Sequence, residues 1–176
     1  MYNTYLKIII TSLIFIFSCS TKAKEIQEWD ESVEITDKET FFVENFADGF
    51  EVPWGMAFLP SDDLLVSDRN GTLWRINKKG NRKEKISGVP EVRYKGQGGL
   101  LDIQIHPNFV TNKFLYISYS DFLPHKKNRS FTAIIRAKLK NNDLINPKII
   151  YKADEKFYTS SKVHYGTRII FDEENY

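Results

Sequence analysis

The sequence predicts an all-β fold assembled from recurring four-stranded antiparallel units. Three observations carry that expectation. Short apolar runs alternate with polar residues between turn signals, and no 3.6-residue period persists from Phe41 to Ser87. Hydrophobic residues make up 41% of the chain and aromatic residues 14%, a globular composition rich in strand formers. The same succession of elements is written twice and begun a third time: Phe58, Ile105 and Phe171 stand at matching places, 47 and then 66 residues apart.

Taken in order, the chain opens on an apolar run, Leu6 to Phe17, broken only by Lys7, Thr11 and Ser12. Such a run is short for a membrane span and right for the apolar region of a signal peptide. Ile16-Phe17-Ser18 before the single cysteine, Cys19, is similar to a bacterial lipobox, with Phe17 bulkier than that motif usually carries. The expectation is a signal peptide over 1–19 and a lipid-anchored, periplasmic protein; cleavage after Ser20 or Ala23 is the alternative. Residues 20–40 read as a polar tether with one weak strand near Ser32 to Thr36, and 41–176 as the folded domain. With Cys19 lipidated or removed, no disulfide is available and packing must supply the stability.

The first repeat runs through four predicted strands. Val52 to Phe58 is followed by the turn Pro60-Ser61-Asp62-Asp63 and by Leu64 to Asp68. Asn70-Gly71, a strong hairpin signal, leads to Thr72 to Ile76, and Lys79-Gly80-Asn81 turns the chain into Lys83 to Ser87. In the second repeat the strands are Leu100 to Ile105, Phe114 to Tyr119, Ala133 to Leu139 and Lys148 to Lys152, with polar insertions at 121–130 and 154–161. A third repeat opens at Gly166 to Asn175. A four-stranded unit recurring every 40 to 50 residues or so is the mark of a β-propeller blade. Two repeats and a beginning do not close a ring, so the chain reads as the N-terminal part of a longer propeller.

Charge excludes some functions. Twenty-five basic against 23 acidic residues give a net +2, no global field for nucleic acid. The basic runs at 78–83 and 125–129 lie between strands without interleaved aromatics and read as solvated loop tips. His106, His125 and His164 have neither helical i, i+4 spacing nor cysteine partners, so no zinc site is expected. His106, before Pro107, reads as a turn cap and His125 as solvated. Asp68-Arg69-Asn70-Gly71 reads as a hairpin rather than a calcium loop, because alternating oxygen ligands do not follow. Trp54 and Trp74 are expected in the core between blades.

The stretch best suited to binding is Gly96-Gln97-Gly98-Gly99, set directly before the strand at Leu100. Permissive backbone at the head of a rigid strand lets a ligand come close, which makes Gln97 the first candidate. A tight inter-strand connection is the alternative.

Several motifs together carry a resemblance. Val52-Pro53-Trp54-Gly55-Met56-Ala57-Phe58-Leu59-Pro60, Gly88-Val89-Pro90-Glu91-Val92, Gly96-Gln97-Gly98-Gly99-Leu100-Leu101-Asp102, His106-Pro107-Asn108-Phe109, Tyr116-Ile117-Ser118-Tyr119 and His164-Tyr165-Gly166-Thr167-Arg168-Ile169 follow one another in order. In this the chain, from about Phe50 to Tyr176, resembles the glucose/sorbosone dehydrogenase family, soluble quinoproteins that use pyrroloquinoline quinone (PQQ). The resemblance implies a six-bladed propeller with the quinone across its top face and calcium bound. It implies an aldose oxidised at its anomeric carbon, with electrons passed to an acceptor of the respiratory chain. Gln97 takes the position of a sugar contact and His164 that of the general base; Arg168 reads as a cofactor contact or as holding a carboxylate near the base, with an inter-blade structural pair as the alternative. The remaining quinone contacts and the calcium ligands are expected beyond Tyr176. Val163 stands where glucose dehydrogenases often carry an aspartate before the base, which weakens the expectation of glucose itself. A non-catalytic propeller, as in hedgehog-interacting proteins, is the second reading, and an incomplete, inactive product the third.

Overall fold

The structure is a computed structural model, and it describes residues 32–35 and 38–174. Cys19 and the predicted signal peptide lie outside the described residues. The chain divides into two units, one ending at Glu44 and one running from Asn45 onward. In the first, β1 (Ser32–Ile35) and β2 (Thr40–Val43) form an antiparallel hairpin, Ser32 opposite Val43 and Ile35 opposite Thr40. Phe41 and Phe42 pair with Glu34 and Val33. The division falls at Glu44, a few residues past the expected boundary.

The second unit holds two four-stranded antiparallel blades of a β-propeller. Blade 1 comprises β3 (Pro53–Phe58), β4 (Leu64–Asp68), β5 (Thr72–Ile76) and β6 (Lys83–Ile86), adjacent in that order. Blade 2 comprises β7 (Leu100–Ile105), β8 (Phe114–Leu123), β9 (Lys126–Lys140) and β10 (Asp143–Lys152), again in sequence order. Alternation decides what each face buries. Leu65 and Leu73 of blade 1 pack with Leu100, Ile103, Leu115, Ile117 and Ile135 of blade 2 in one core. The residues of opposite parity, Leu64 and Val66, join Ile76 on the other face beneath Ala47 and Phe50.

The blades are locked by a device that occurs twice. β3 slips register between Pro53 and Gly55, and β7 does so between Leu100 and Ile103. A bulge leaves backbone donors without ladder partners. In blade 1 the Ser67 hydroxyl accepts from Gly55 N–H at 2.9 Å and donates onward to the Leu101 carbonyl of blade 2. In blade 2 the Ser118 hydroxyl accepts from Asp102 N–H at 2.9 Å and pairs with the Thr167 hydroxyl at 2.5 Å. Both serines are fully buried. Each satisfies an orphan donor of its own blade and ties that blade to the segment that follows.

Several expectations are corrected. Trp54 does not lie between the two described blades: with Met56 and Phe58 it is on the face of β3 away from blade 2, 42%, 64% and 66% exposed, while Gly55 and Ala57 face blade 2. The reason is the close approach of β3 to β7, where a Cβ on Gly55 would sit 2.9 Å from the Leu101 carbonyl, so only small residues fit that side. Trp74 lies half-buried under the ammonium groups of Lys83 and Lys85, on the face away from blade 2. The stretch 121–130 is no loop insertion; β8 and β9 continue as a long hairpin through Leu123 opposite Lys126, because Leu123 and Ser130 are buried. One helical turn, α1 (Phe109–Asn112), joins β7 to β8. A 3-10 turn over Glu155–Phe157 interrupts the second expected insertion. Residues 166–172 form no strand; Ile169 N–H is satisfied by the Asp102 carboxylate at 2.6 Å instead of by a ladder partner.

Candidate active site

Antiparallel succession puts the β4–β5 turn, the 87–99 connection into blade 2 and the 153–168 segment after blade 2 at one end of the blades. Leu100 N–H donates to the Arg69 carbonyl at 3.1 Å, and Gln97 N–H donates to the Lys162 carbonyl at 2.7 Å. Gly96 makes the second contact possible. Its φ is +60°, and a Cβ there would lie 2.2 Å from the Lys162 carbonyl oxygen, a position no other residue can occupy without displacing backbone. The glycine-rich stretch is thus both a tight connection and a close approach, and the partner it approaches is the segment carrying His164.

Gln97 and His164, 67 residues apart in the chain, meet directly: the His164 backbone N–H donates to Gln97 Oε1 at 2.7 Å. Both side chains are exposed, with Lys95 and Lys162 exposed beside them. His164 has φ +71°, the left-handed region that a side-chain-bearing residue enters at a cost of about 1–3 kcal/mol. Its imidazole has no hydrogen-bond partner among the described residues, in keeping with Val163 in the place of an orienting acid. The Gln97 carbonyl is spent on the backbone, which leaves its amide NH2 as the group facing outward.

Beneath this pair lies a polar network that sequence reasoning did not find. Arg93 Nη1 donates to Ser130 Oγ at 2.9 Å and to the Ser161 carbonyl at 3.1 Å, and approaches the Tyr165 hydroxyl at 3.2 Å. The Tyr165 hydroxyl donates to the Ser161 carbonyl at 2.8 Å and meets Ser130 Oγ at 2.6 Å. Ser130 and Tyr165 are buried. Nothing short of the tertiary fold brings Arg93, Ser130 and Tyr165 together, so no local signal marked them.

The other sequence candidates fall outside the pair. Arg168, itself 72% exposed, lies 3.4 Å from the buried Asp102 carboxylate of β7. His106 caps its turn, its Nδ1 accepting from Asn108 N–H at 2.9 Å, and its ring packs on Phe171 and Tyr116. His125 sits 4.0 Å from Glu155 in an exposed turn. Asp68 accepts from Glu51 N–H and Val52 N–H at 2.9 Å each, which is a structural use of the carboxylate. Next to it the Tyr94 hydroxyl and the Asn70 amide donate to Glu51 and hold its carboxyl below the usual range. Among the described residues no group of three or more His, Cys, Asp or Glu is placed to hold a metal ion. A cleft of about 400 Å³ lined by Leu59, Arg75, Phe109 and Lys113 opens at the opposite end of the blades, away from Gln97 and His164.

Two consecutive four-stranded blades whose connecting loops bring an exposed histidine and an exposed glutamine together define part of a β-propeller with a candidate site at one end. The family model of Glucose / Sorbosone dehydrogenase matches residues 50–176, and the chain belongs to that family. It is 32% identical over 142 residues to the aldose sugar dehydrogenase YliI of Escherichia coli, an alignment covering 78% of this chain and 37% of that protein. The soluble aldose sugar dehydrogenase of Escherichia coli in its apo form superposes with a TM-score of 0.65 at 29% identity, covering 73% of this chain and 37% of that one. The PQQ-bound aldose sugar dehydrogenase of Streptomyces coelicolor superposes at 0.55 and 28% identity, covering 68% and 34%. The chain therefore spans little more than a third of the length of these relatives.

PQQ is a planar tricarboxylate, so a site for it calls for fixed positive charge. Arg93 is engaged with Ser130 and Ser161 and Arg168 lies against Asp102, whereas Arg69 lies over the Tyr94 ring and its buried Nε has no hydrogen-bond partner among the described residues. Anchoring of the carboxylates is assigned to none of them.

Proposed function

We propose that the intact protein is an exported, PQQ-dependent aldose dehydrogenase, and that this chain contributes its general base and a sugar contact. The observation that carries the reading is the hydrogen bond between His164 and Gln97, which unites the two residues the motifs single out on one exposed face. Oxidation at an anomeric carbon requires the C1 hydroxyl proton to leave as the C1–H bond breaks. PQQ, when bound, supplies the hydride acceptor. His164 takes the proton, and histidine is the side chain whose ordinary titration range spans neutral pH. The Gln97 amide donates to a sugar hydroxyl and fixes which carbon faces the imidazole. The electron acceptor is a component of the respiratory chain. Calcium belongs to the same proposal, through ligands other than the described residues. The same proposal includes a signal peptide over 1–19, lipidation at Cys19 and a periplasmic location, supported by the apolar run Leu6 to Phe17 and Ile16-Phe17-Ser18 before the cysteine.

His164→Ala in the intact, PQQ-loaded protein tests it. Reduction of the quinone by excess aldose, followed by stopped flow, is expected to slow by about 10²-fold, the usual contribution of a general base. Quinone uptake stays near the parental level. Reduction at the parental rate would refute the assignment of the base, and a parental protein that takes up PQQ but reduces it with no aldose would favour a non-catalytic binding propeller.

A further inference from the structure

We propose that Tyr165 and Arg93 are positioning residues that hold His164 in its working conformation; the inference rests on His164 being the base. Left-handed backbone at a histidine persists only where the surroundings over-determine it. On one side the Gln97 carbonyl fixes the His164 N–H. On the other, the next residue, Tyr165, turns its ring into the interior and reaches back with its hydroxyl to the Ser161 carbonyl at 2.8 Å. That bond closes the loop 161–165 around His164.

The proton order in the network follows from its members. Arg93 only donates. The Tyr165 hydroxyl gives its one proton to Ser161 and so accepts from Ser130, while Ser130 Oγ accepts from Arg93. The chain Arg93 to Ser130 to Tyr165 to Ser161 is satisfied at every step and starts from a fixed charge, which strengthens each bond after it. Arg93 is itself anchored, because its N–H donates to the Ser120 carbonyl and its own carbonyl accepts from Ser120 Oγ. Arg93 and Gln97 lie on one short connection. A single loop of blade 2 thus grips the His164 loop at both ends. Ser130 and Tyr165 are buried and Arg93 is half-buried and bonded inward; they act through the histidine.

The test is a double-mutant cycle in the intact protein. Tyr165→Phe keeps the ring and removes the hydroxyl, and is expected to lower kcat by roughly 3- to 10-fold, the worth of one hydrogen bond, with KM within twofold. Ser130→Ala, which removes the donor to Tyr165, gives the same pattern and serves if the first variant folds poorly. In a His164→Ala background, Tyr165→Phe is expected to cost less than twofold more. Amide hydrogen exchange of the 160–166 segment, measured without substrate, is expected to quicken by a similar 3- to 10-fold in Tyr165→Phe. A full additional loss in the His164→Ala background, or unchanged exchange, would overturn the positioning role while leaving the base intact. A parental rate in His164→Ala alone would overturn the base, and the positioning role with it.

Discussion

The backbone N–H of His164 donates to the side-chain carbonyl of Gln97 across 2.7 Å, and the backbone N–H of Gln97 donates to the Lys162 carbonyl across the same distance. Two loops from different parts of the chain are stitched twice within three residues. Gln97 therefore has two separable uses, one through each end of its amide. Gln97→Glu keeps an acceptor for His164 and removes the outward donor. It is expected to leave hydrogen exchange at His164 unchanged while raising KM by about tenfold, from the 0.5–1.5 kcal/mol of one hydrogen bond. Gln97→Leu removes both and is expected to lower kcat and speed exchange as well. Equal behaviour of the two variants would show that the amide has only one use.

Gly96→Ala tests the close approach. The added methyl meets the Lys162 carbonyl oxygen at 2.2 Å on a backbone with φ +60°. Strain of that kind costs about 1–3 kcal/mol before the clash is counted. The urea midpoint is expected to fall with an unchanged slope. An unchanged midpoint would mean that the loops part without loss.

Asp102 is buried, and it holds Ile169 N–H at 2.6 Å and the Arg168 guanidinium at 3.4 Å. Asp102→Ala leaves that N–H without a partner, a loss of about 1–3 kcal/mol. Asp102→Asn keeps a carbonyl acceptor and is expected to lose less. Limited proteolysis beyond Gly166 is expected to quicken in the order wild type, Asn, Ala. Identical rates in all three would remove the carboxylate from the account.

Stability is expected to fall at alkaline pH. Burial, and then the charge of Asp121, raises the Tyr119 hydroxyl from 10.0 to about 12. Burial, the hydrogen bond to Asp121 and its charge raise Tyr158 further. A group raised in the folded state contributes fully below its unfolded value, and that contribution is lost as pH climbs toward the folded one. The denaturant midpoint is therefore expected to hold up to about pH 9 and to drop between about pH 10 and 12. Tyr158→Phe flattens that drop. A midpoint that stays level across this range would contradict the assignment.

The amino terminus offers a chemical test of export. If Ile16-Phe17-Ser18 serves as a lipobox, mass spectrometry of the membrane fraction finds Cys19 as a diacylglyceryl-modified first residue. A mature terminus at Thr21 or Lys24 without lipid would contradict it.

The strand order of both blades was legible in the sequence because a half-buried strand writes its two faces as alternation and its turns as Asn70-Gly71 or Lys79-Gly80-Asn81. Gln97 and His164 were legible as motif positions. What the sequence left open depended on neighbours distant along the chain. Trp54 looks like core between these blades in any strand pattern, yet the backbone of β7 leaves room beside β3 only for Gly55 and Ala57, so Trp54 faces away from blade 2. The polar stretch 121–130 looks like a loop until Leu123 and Ser130 find burial that extends a hairpin through it. Tyr165 carries no local sign that its hydroxyl will meet Arg93 and Ser130, 72 and 35 residues away. Periodicity is a property of one strand and is written locally. Which side chain holds His164 in place depends on how blade 2 and the segment after it close on each other, and only the tertiary fold decides that.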